Sequence, residues 1–314
     1  MKEWPIQEDE FLKGYRGRIA LYNDCSTVAD IHRKLMKRLG LKGEPKHHCF
    51  LENVASALET SPRNVLDRHT LWPLLAPFIE NLSDSTNQMK IFASSTIGAG
   101  LRLCPECVEA DLQRLFFSYW RRSHQTPGQL SCAEHGCHLL RYEESTLCLE
   151  QPANVLTQSH PVPTELAIAS TENWRIRLAL GIAARIMEKQ IALDRRQCSR
   201  AISTQAERIG LNPSAPRGAY ALSRLAEDCF SLDWISEAMP MSRLKSGSIF
   251  NFVTGAFYDQ GPRTSAMSIA ICAAMVFDDV PTAMRALGTR TPTKSIQDGS
   301  LDFDSGPGSA GPPA

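Results

Sequence analysis

The chain has 314 residues, 43% hydrophobic and 22% charged, enough for about two globular domains each burying a core, which excludes wholesale disorder. Thirty-four Lys and Arg balance thirty-four Asp and Glu, so no whole-molecule field draws the protein to nucleic acid or anionic lipid, and local patches must hold any such partner. The longest apolar run, residues 265–277, is shorter than the about 20 residues of a bilayer-spanning helix. With no apolar core behind Met1-Lys2-Glu3-Trp4-Pro5, a secretory signal is not expected. The protein is expected in the cytosol, where its ten cysteines serve as thiols or metal ligands rather than disulfides.

In chain order, Ser26 is a candidate cap for a helix over residues 27–39 that Gly40 ends. Val28, Ile31, Leu35 and Leu39 form its apolar stripe, and Arg33, Lys34, Lys37 and Arg38 fill the rest of its circumference. Between residues 13 and 46 there are nine basic residues against three acidic, a solvated helix face or a contact for phosphate or an acidic partner. Phe50, Leu51, Val54, Ala55 and Leu58 then make a second stripe. After a break at Glu59-Thr60, Ser61 and Pro62 read as the cap and first position of a short helix, with Val65 and Leu66 inward and Arg63, Asn64, Asp67 and Arg68 outward. This is a helix-turn-helix pattern. Such pairs occur in any helical protein, but Arg63 and Asn64 near the second helix's start suit guanine and adenine edges.

Residues 71–78, broken by Pro73 and Pro77, suggest a buried extended connection; residues 81–88 read as a surface loop. Residues 151–163, with three prolines, suggest a linker and the main domain boundary. Beyond it, Trp174, Ile176, Leu178, Ile182, Ile186 and Met187, and then Leu222, Leu225, Phe230, Trp234 and Ile235, return at helical spacing and are read as buried helices. Residues 174–217 carry a second basic excess, nine residues to three. Residues 265–280 are apolar on all sides, as in an enclosed helix, and the Gly-, Pro- and Ser-rich tail from residue 291 is expected to be disordered.

The centre carries the sharpest signal. Cys104-Pro105-Glu106-Cys107 is followed, after 24 intervening residues, by Cys132-Ala133-Glu134-His135. Two tight turns, each offering two donors, can converge on one ion, and three thiolates with one neutral imidazole are a set that structural zinc takes. Cys137 and His138 lie close enough to compete with His135, and Cys148 is a further candidate. Cys49 with His47 and His48 lacks a matching pair, and Cys25, Cys198, Cys229 and Cys272 read as small core residues. A four-ligand site leaves no open position for activated water, so its role is to hold the fold. Between the two pairs, residues 116–125 interleave aromatics with Arg121 and Arg122; Trp120 is assigned to the core, the arginines to surface contacts with a nucleic acid or partner.

Cys104-Pro105-Glu106-Cys107, then Tyr119-Trp120-Arg121-Arg122-Ser123-His124-Gln125, then Cys132-Ala133-Glu134-His135-Gly136-Cys137 with Leu139-Leu140, resembles the zinc motif of the TniQ/TnsD family of transposition target-selection proteins. Asp9-Glu10-Phe11-Leu12 with Arg18-Ile19-Ala20 is similar to that family's opening, and Val54-Ala55 through Arg68-His69-Thr70-Leu71 to its helix-turn-helix. The resemblance implies a non-catalytic adaptor that marks the insertion site and recruits an AAA+ ATPase of the TnsC/TniB kind, which brings in the transposase. The partners it implies are that ATPase, target DNA at the bacterial nucleoid and, in CRISPR-associated members, an effector complex with its guide RNA. Whether the chain is a homodimer is left open.

The expected fold is mainly α: a helical region with the helix-turn-helix (1–100), a Cys3His zinc module (101–150), a helical C-terminal region (151–290) and the tail (291–314). No GxxxxGK[ST] or GxSxG occurs, and Leu103 stands where the zinc-deaminase pattern needs proline, so an enzyme is not expected. The alternative is a stand-alone sequence-specific DNA-binding regulator; the balanced charge favours the adaptor, since a dedicated DNA binder carries a basic excess.

Overall fold

A computed structural model describes residues 5–42, 50–75, 78, 100–143, 150–189, 193–240, 244–258 and 264–288. The expected loop at 81–88, the tail from 291, Cys49 with its neighbouring histidines, and Cys148 lie outside them. The fold is mainly helical.

Helix α1 (Leu12–Tyr22) leads into α2 (Val28–Arg38). The cap of α2 is Thr27 rather than Ser26: its hydroxyl accepts from the Asp30 amide at 3.1 Å and donates to the Asp30 carboxylate at 2.7 Å. Ser26 is one residue too early to reach that amide and bonds the carboxylate instead, at 3.3 Å. Then α3 (Phe50–Ala57) and α4 (Pro62–His69) form the expected helix-turn-helix. Glu59 takes a left-handed φ of 51° at the break, and the Ser61 hydroxyl accepts from the Asn64 amide at 3.1 Å. Ile31, Leu35, Leu51, Val54, Ala55, Val65 and Leu66 are buried together with Tyr15, Ile19 and Trp72 in one apolar cluster.

Residues 72–75 are a short helix, α5 (Trp72–Leu75), not the expected extended connection. Pro73 falls in its first turn, where a missing amide proton costs no hydrogen bond. This helix joins two cores, Trp72 in the N-terminal cluster and Leu74 in the larger one.

The central region adds what helical periodicity does not show, a small antiparallel sheet. β1 (Leu101–Leu103) pairs with β2 (Leu140–Tyr142), Leu101 opposite Tyr142, and β2 pairs with β3 (His160–Pro161). Helix α6 (Pro105–Leu115) leaves β1 directly. Residues 151–163 are no free linker: they hold α7 (Pro152–Val155), a 3-10 turn and β3, with Val155 and Val162 buried.

The C-terminal helices are α8 (Thr164–Glu172), α9 (Trp174–Lys189), α10 (Arg195–Arg208), α11 (Gly218–Cys229), α12 (Leu232–Ala238), α13 (Asn251–Tyr258), α14 (Ala266–Val276) and α15 (Val280–Leu287). Every residue of α14 is buried, as its all-round apolar sequence demands, and it starts with a reciprocal cap between Ser265 and Ser268. Trp174, expected inside with Ile176 and Ile182, is instead 44% exposed and carries the Arg175 guanidinium 3.9 Å from its ring centre. That arginine also donates to the Ala274 and Phe277 carbonyls, at 2.6 and 2.9 Å, tying α9 to the end of α14. No helix among the described residues is long and apolar enough to cross a membrane.

Candidate metal centre

Cys104 is the N-cap of α6, with φ −109° and ψ 126°, and its sulfur accepts from the Cys107 amide at 3.3 Å. Pro105 at the first helical position presets the turn. Cys107 thus lies in the first helical turn, where the exposed amide dipoles favour thiolates. The second pair sits on a hairpin tip: Ser131 bridges His138, the Cys132 amide donates to the Cys137 carbonyl at 2.8 Å and the Gly136 amide to the Cys132 carbonyl at 2.9 Å. Gly136 has φ +69° with open space where a Cβ would stand, so glycine permits the turn that aims His135 back at the sulfurs.

The donor atoms of Cys104, Cys107, Cys132 and His135 all lie within 4.8 Å of one another. His135 Nδ1 is 3.5, 3.3 and 3.5 Å from the sulfurs of Cys104, Cys107 and Cys132, and the Cys107 and Cys132 sulfurs are 3.7 Å apart. Two thiolates on one tetrahedral zinc stand about 3.8 Å apart, so spacing and donor chemistry both fit that ion. Without a metal, one proton serves two sulfurs: the hydrogen bond between Cys107 and Cys132 pushes the first thiol up and holds the second down at about 2. His135 is raised by its bond to Cys132. Such a set binds a cation by exchanging those protons for metal bonds.

The surroundings reassign two residues. Arg121 and Arg122, expected on the surface, are spent inside the protein. Arg121 forms a two-pronged pair with the buried Asp111 of α6, at 2.6 and 2.9 Å, and lies 4.7 Å from the Tyr119 ring centre. Burial opposes its charge, but the Asp111 bonds outweigh that and raise its pKa. Arg122 donates to the Asp67 carbonyl at 2.5 Å, and its own amide donates to the Asp9 carbonyl at 2.7 Å. Spacing cannot distinguish a surface arginine from one facing a carboxylate distant in sequence. Trp120 is in the core as expected, 2% exposed.

Residues 119–125 are thus a junction. The Phe11 amide donates to the Trp120 carbonyl at 2.7 Å, and the Asp9 carboxylate accepts from the Ser123 hydroxyl at 2.5 Å. His124, buried, places Nε2 3.8 Å from the Cys107 sulfur. Gln125 pairs with the backbone of Arg102 on β1, accepting at 2.9 Å and donating at 2.8 Å, and donates again to the Arg121 carbonyl at 2.9 Å. The Glu10–Arg18 pair, at 2.6 and 2.8 Å, anchors the N-terminal arm to α1, and the Glu10 carbonyl meets His69 Nδ1 of α4 at 2.9 Å. Sequence spacing does not single out Asp9, Glu10, Asp111, His69 or Gln125 for these contacts, because all their partners are distant along the chain.

The remaining contact candidates do lie outside. Arg33, Lys34, Lys37, Arg38, Arg63 and Arg68 are exposed. Arg33 pairs with Asp30 at 2.8 Å, and Lys34 donates to the Asn23 carbonyl. Arg63 pairs with Asp67 at 2.7 Å, and Asn64, half-buried, donates to the Thr60 hydroxyl at 2.7 Å. Asp67 itself is buried, against the expected outward position, because Arg63 covers it. Of the isolated cysteines, Cys25, Cys198 and Cys272 are buried, and Cys229 is half-buried against the core.

The metal quartet, the junction and the helix-turn-helix fall within residues 4–139, which match the TniQ family. The chain is also 29% identical over 124 residues to the transposon Tn7 transposition protein TnsD of Escherichia coli, a similarity covering 33% of this chain and 23% of that protein. The chain therefore spans about a quarter of the length of that relative. The match to the TniQ family over residues 4–139 takes in both the Cys3His cluster and the helix-turn-helix.

Proposed function

We propose that the protein is a non-catalytic adaptor for target-site selection in DNA transposition, acting at the bacterial nucleoid. The observation that carries this reading is the coincidence of the TniQ match with a metal centre, junction and helix-turn-helix joined by buried bonds. In this reading one zinc ion on Cys104, Cys107, Cys132 and His135 holds the central region in shape. The exposed faces of α2 and α4 make the contacts, with Arg33, Lys34, Lys37 and Arg38 on one and Arg63, Asn64 and Arg68 on the other. DNA phosphates supply the complementary charge, directly or within an RNA-guided CRISPR effector complex. An AAA+ ATPase of the TnsC/TniB type is the protein partner through which the transposase is recruited.

Mapping insertions in the native transposon tests this. With the chain present, insertions concentrate at one target; deleting it abolishes or scatters them, and charge reversal at Arg33 and Lys37 reproduces part of that loss with the fold intact. Unchanged insertion frequency and position after deletion contradict the reading. The alternative, a regulator that reads one DNA site alone, is supported by Arg63 and Asn64 at the start of α4 and predicts tight binding without other proteins.

A further inference from the structure

Four donors complete a tetrahedral site, yet a fifth touches them. The Cys137 sulfur lies 3.3 Å from that of Cys104, inside the about 3.8 Å edge of a zinc-thiolate tetrahedron, and packs against the cluster of Cys104, Cys107, Cys132 and Leu139. Its backbone is fixed opposite Cys132 by the 2.8 Å bond from the Cys132 amide. Cys104, Cys107 and Cys132 are buried, whereas His135 and Cys137 are both half-buried and stand on the solvent side of the centre. Between them lies only Gly136, with nothing within 4 Å of its Cβ position, so no neighbour crowds the turn that sets the two donors side by side.

We propose that Cys137 is a reserve ligand: His135 holds the fourth coordination position at rest, and Cys137 takes it when the imidazole leaves, converting the set of three sulfurs and one nitrogen into one of four sulfurs with the metal retained. The inference rests on the metal reading of this centre. In the exchange a metal–nitrogen bond breaks, a metal–sulfur bond forms, and the Cys137 thiol proton passes to the departing imidazole or to water; no electrons are transferred. His135 is the resting ligand for two reasons. Its Nδ1 meets all three sulfurs at 3.3–3.5 Å. In addition, a fourth thiolate adds negative charge beside Glu134, 3.8 Å from the Cys107 sulfur. The reserve matters because the half-buried ligand is the one that solvent reaches, while His124, 3.8 Å from the Cys107 sulfur, ties the centre to the junction.

The test uses the full chain with Zn2+ and, as a spectroscopic reporter, Co2+, in His135→Ala, Cys137→Ser and the double variant. His135→Ala is expected to hold one metal per chain with affinity within about tenfold of the parent, while the double variant loses more than about a hundredfold. Cys137→Ser alone should bind as the parent does. The Co2+ spectrum of His135→Ala should change from a three-sulfur to a four-sulfur pattern, and Cys137 should become protected from alkylation in the metal-loaded variant only. Loss of metal or of fold in His135→Ala, or equal affinity and spectra in His135→Ala and the double variant, overturns the proposal. A parent chain that binds no equivalent of either ion defeats the metal reading itself.

Discussion

At the scale of single residues, cost and exposure separate what holds the fold from what faces outward. Phe116 ends α6 in the left-handed region, φ 62°, with its ring 91% exposed. A side chain there costs about 1–2 kcal/mol that glycine does not incur, and an exposed ring returns little burial energy. Phe116→Gly should therefore stabilise the protein by about 1 kcal/mol in chemical denaturation; a loss of stability would show that the ring packs in solution. Arg121→Ala leaves Asp111 charged and 1% exposed, and should cost about 3 kcal/mol or more. Any loss of DNA affinity in that variant should track its unfolded fraction, whereas Lys37→Ala should weaken binding at unchanged stability. His69 is buried with Nδ1 donating to the Glu10 carbonyl, and burial pushes its pKa down to about 4 from the ordinary value of 6.5. The unfolded chain then takes up the proton first, so this stabilisation is complete above pH 6.5 and is lost as pH falls toward 4, about 3 kcal/mol in all. His69→Gln should show a flatter fall in stability across that window; an identical pH profile would mean that folding does not shift the His69 pKa.

At the scale of elements, local rules are readable in the sequence and long-range ones are not. The stripe of α3, the cap and stripe of α4, the all-round apolar character of α14, the Cys104–Cys107 turn and the Cys132–His135 tip follow from residues close along the chain, so they are legible. Helix α1 is not: Gly14, Arg16, Gly17 and Arg18 are buried alongside Leu12 and Ile19, which erases the amphipathic period. Glu10 neutralises Arg18 at 2.6 Å, a pairing visible only once the arm folds back. The sheet escapes for the same reason, since each strand has at most three residues and its partner lies far along the chain. Helix α1 docks so tightly that a Cβ on Gly14 would stand 2.7 Å from the Trp120 Cβ. Gly14→Ala should consequently lower stability by about 1–3 kcal/mol despite alanine's higher helix propensity; unchanged or higher stability would show that the helix can shift away from Trp120.

At the scale of the whole molecule, the largest apolar cluster runs from Phe11 through Leu103, Trp120 and Val155 to Leu287, so the central strands and the C-terminal helices share packing, while the three cysteines of the metal centre form a small cluster of their own with Leu139. Ordering by zinc is worth about 10–16 kcal/mol in small finger peptides, more than the total stability of an ordinary domain. Cys132→Ser is accordingly expected to release the metal and to open residues 101–140 to protease, with retained metal stoichiometry and unchanged protease resistance as the contrary result. The basic faces of α2 and α4 and the junction at residues 119–125 both fall within residues 4–139, which match the TniQ family. The most direct measurement is identification, by mass spectrometry and sequencing, of the proteins and nucleic acids that co-purify with the tagged chain from its native cell at moderate salt. An AAA+ ATPase encoded by the same transposon, recovered with the parent and lost with Cys132→Ser, is the predicted result; a chain that purifies without protein partners and enriched on a single DNA sequence would contradict the adaptor.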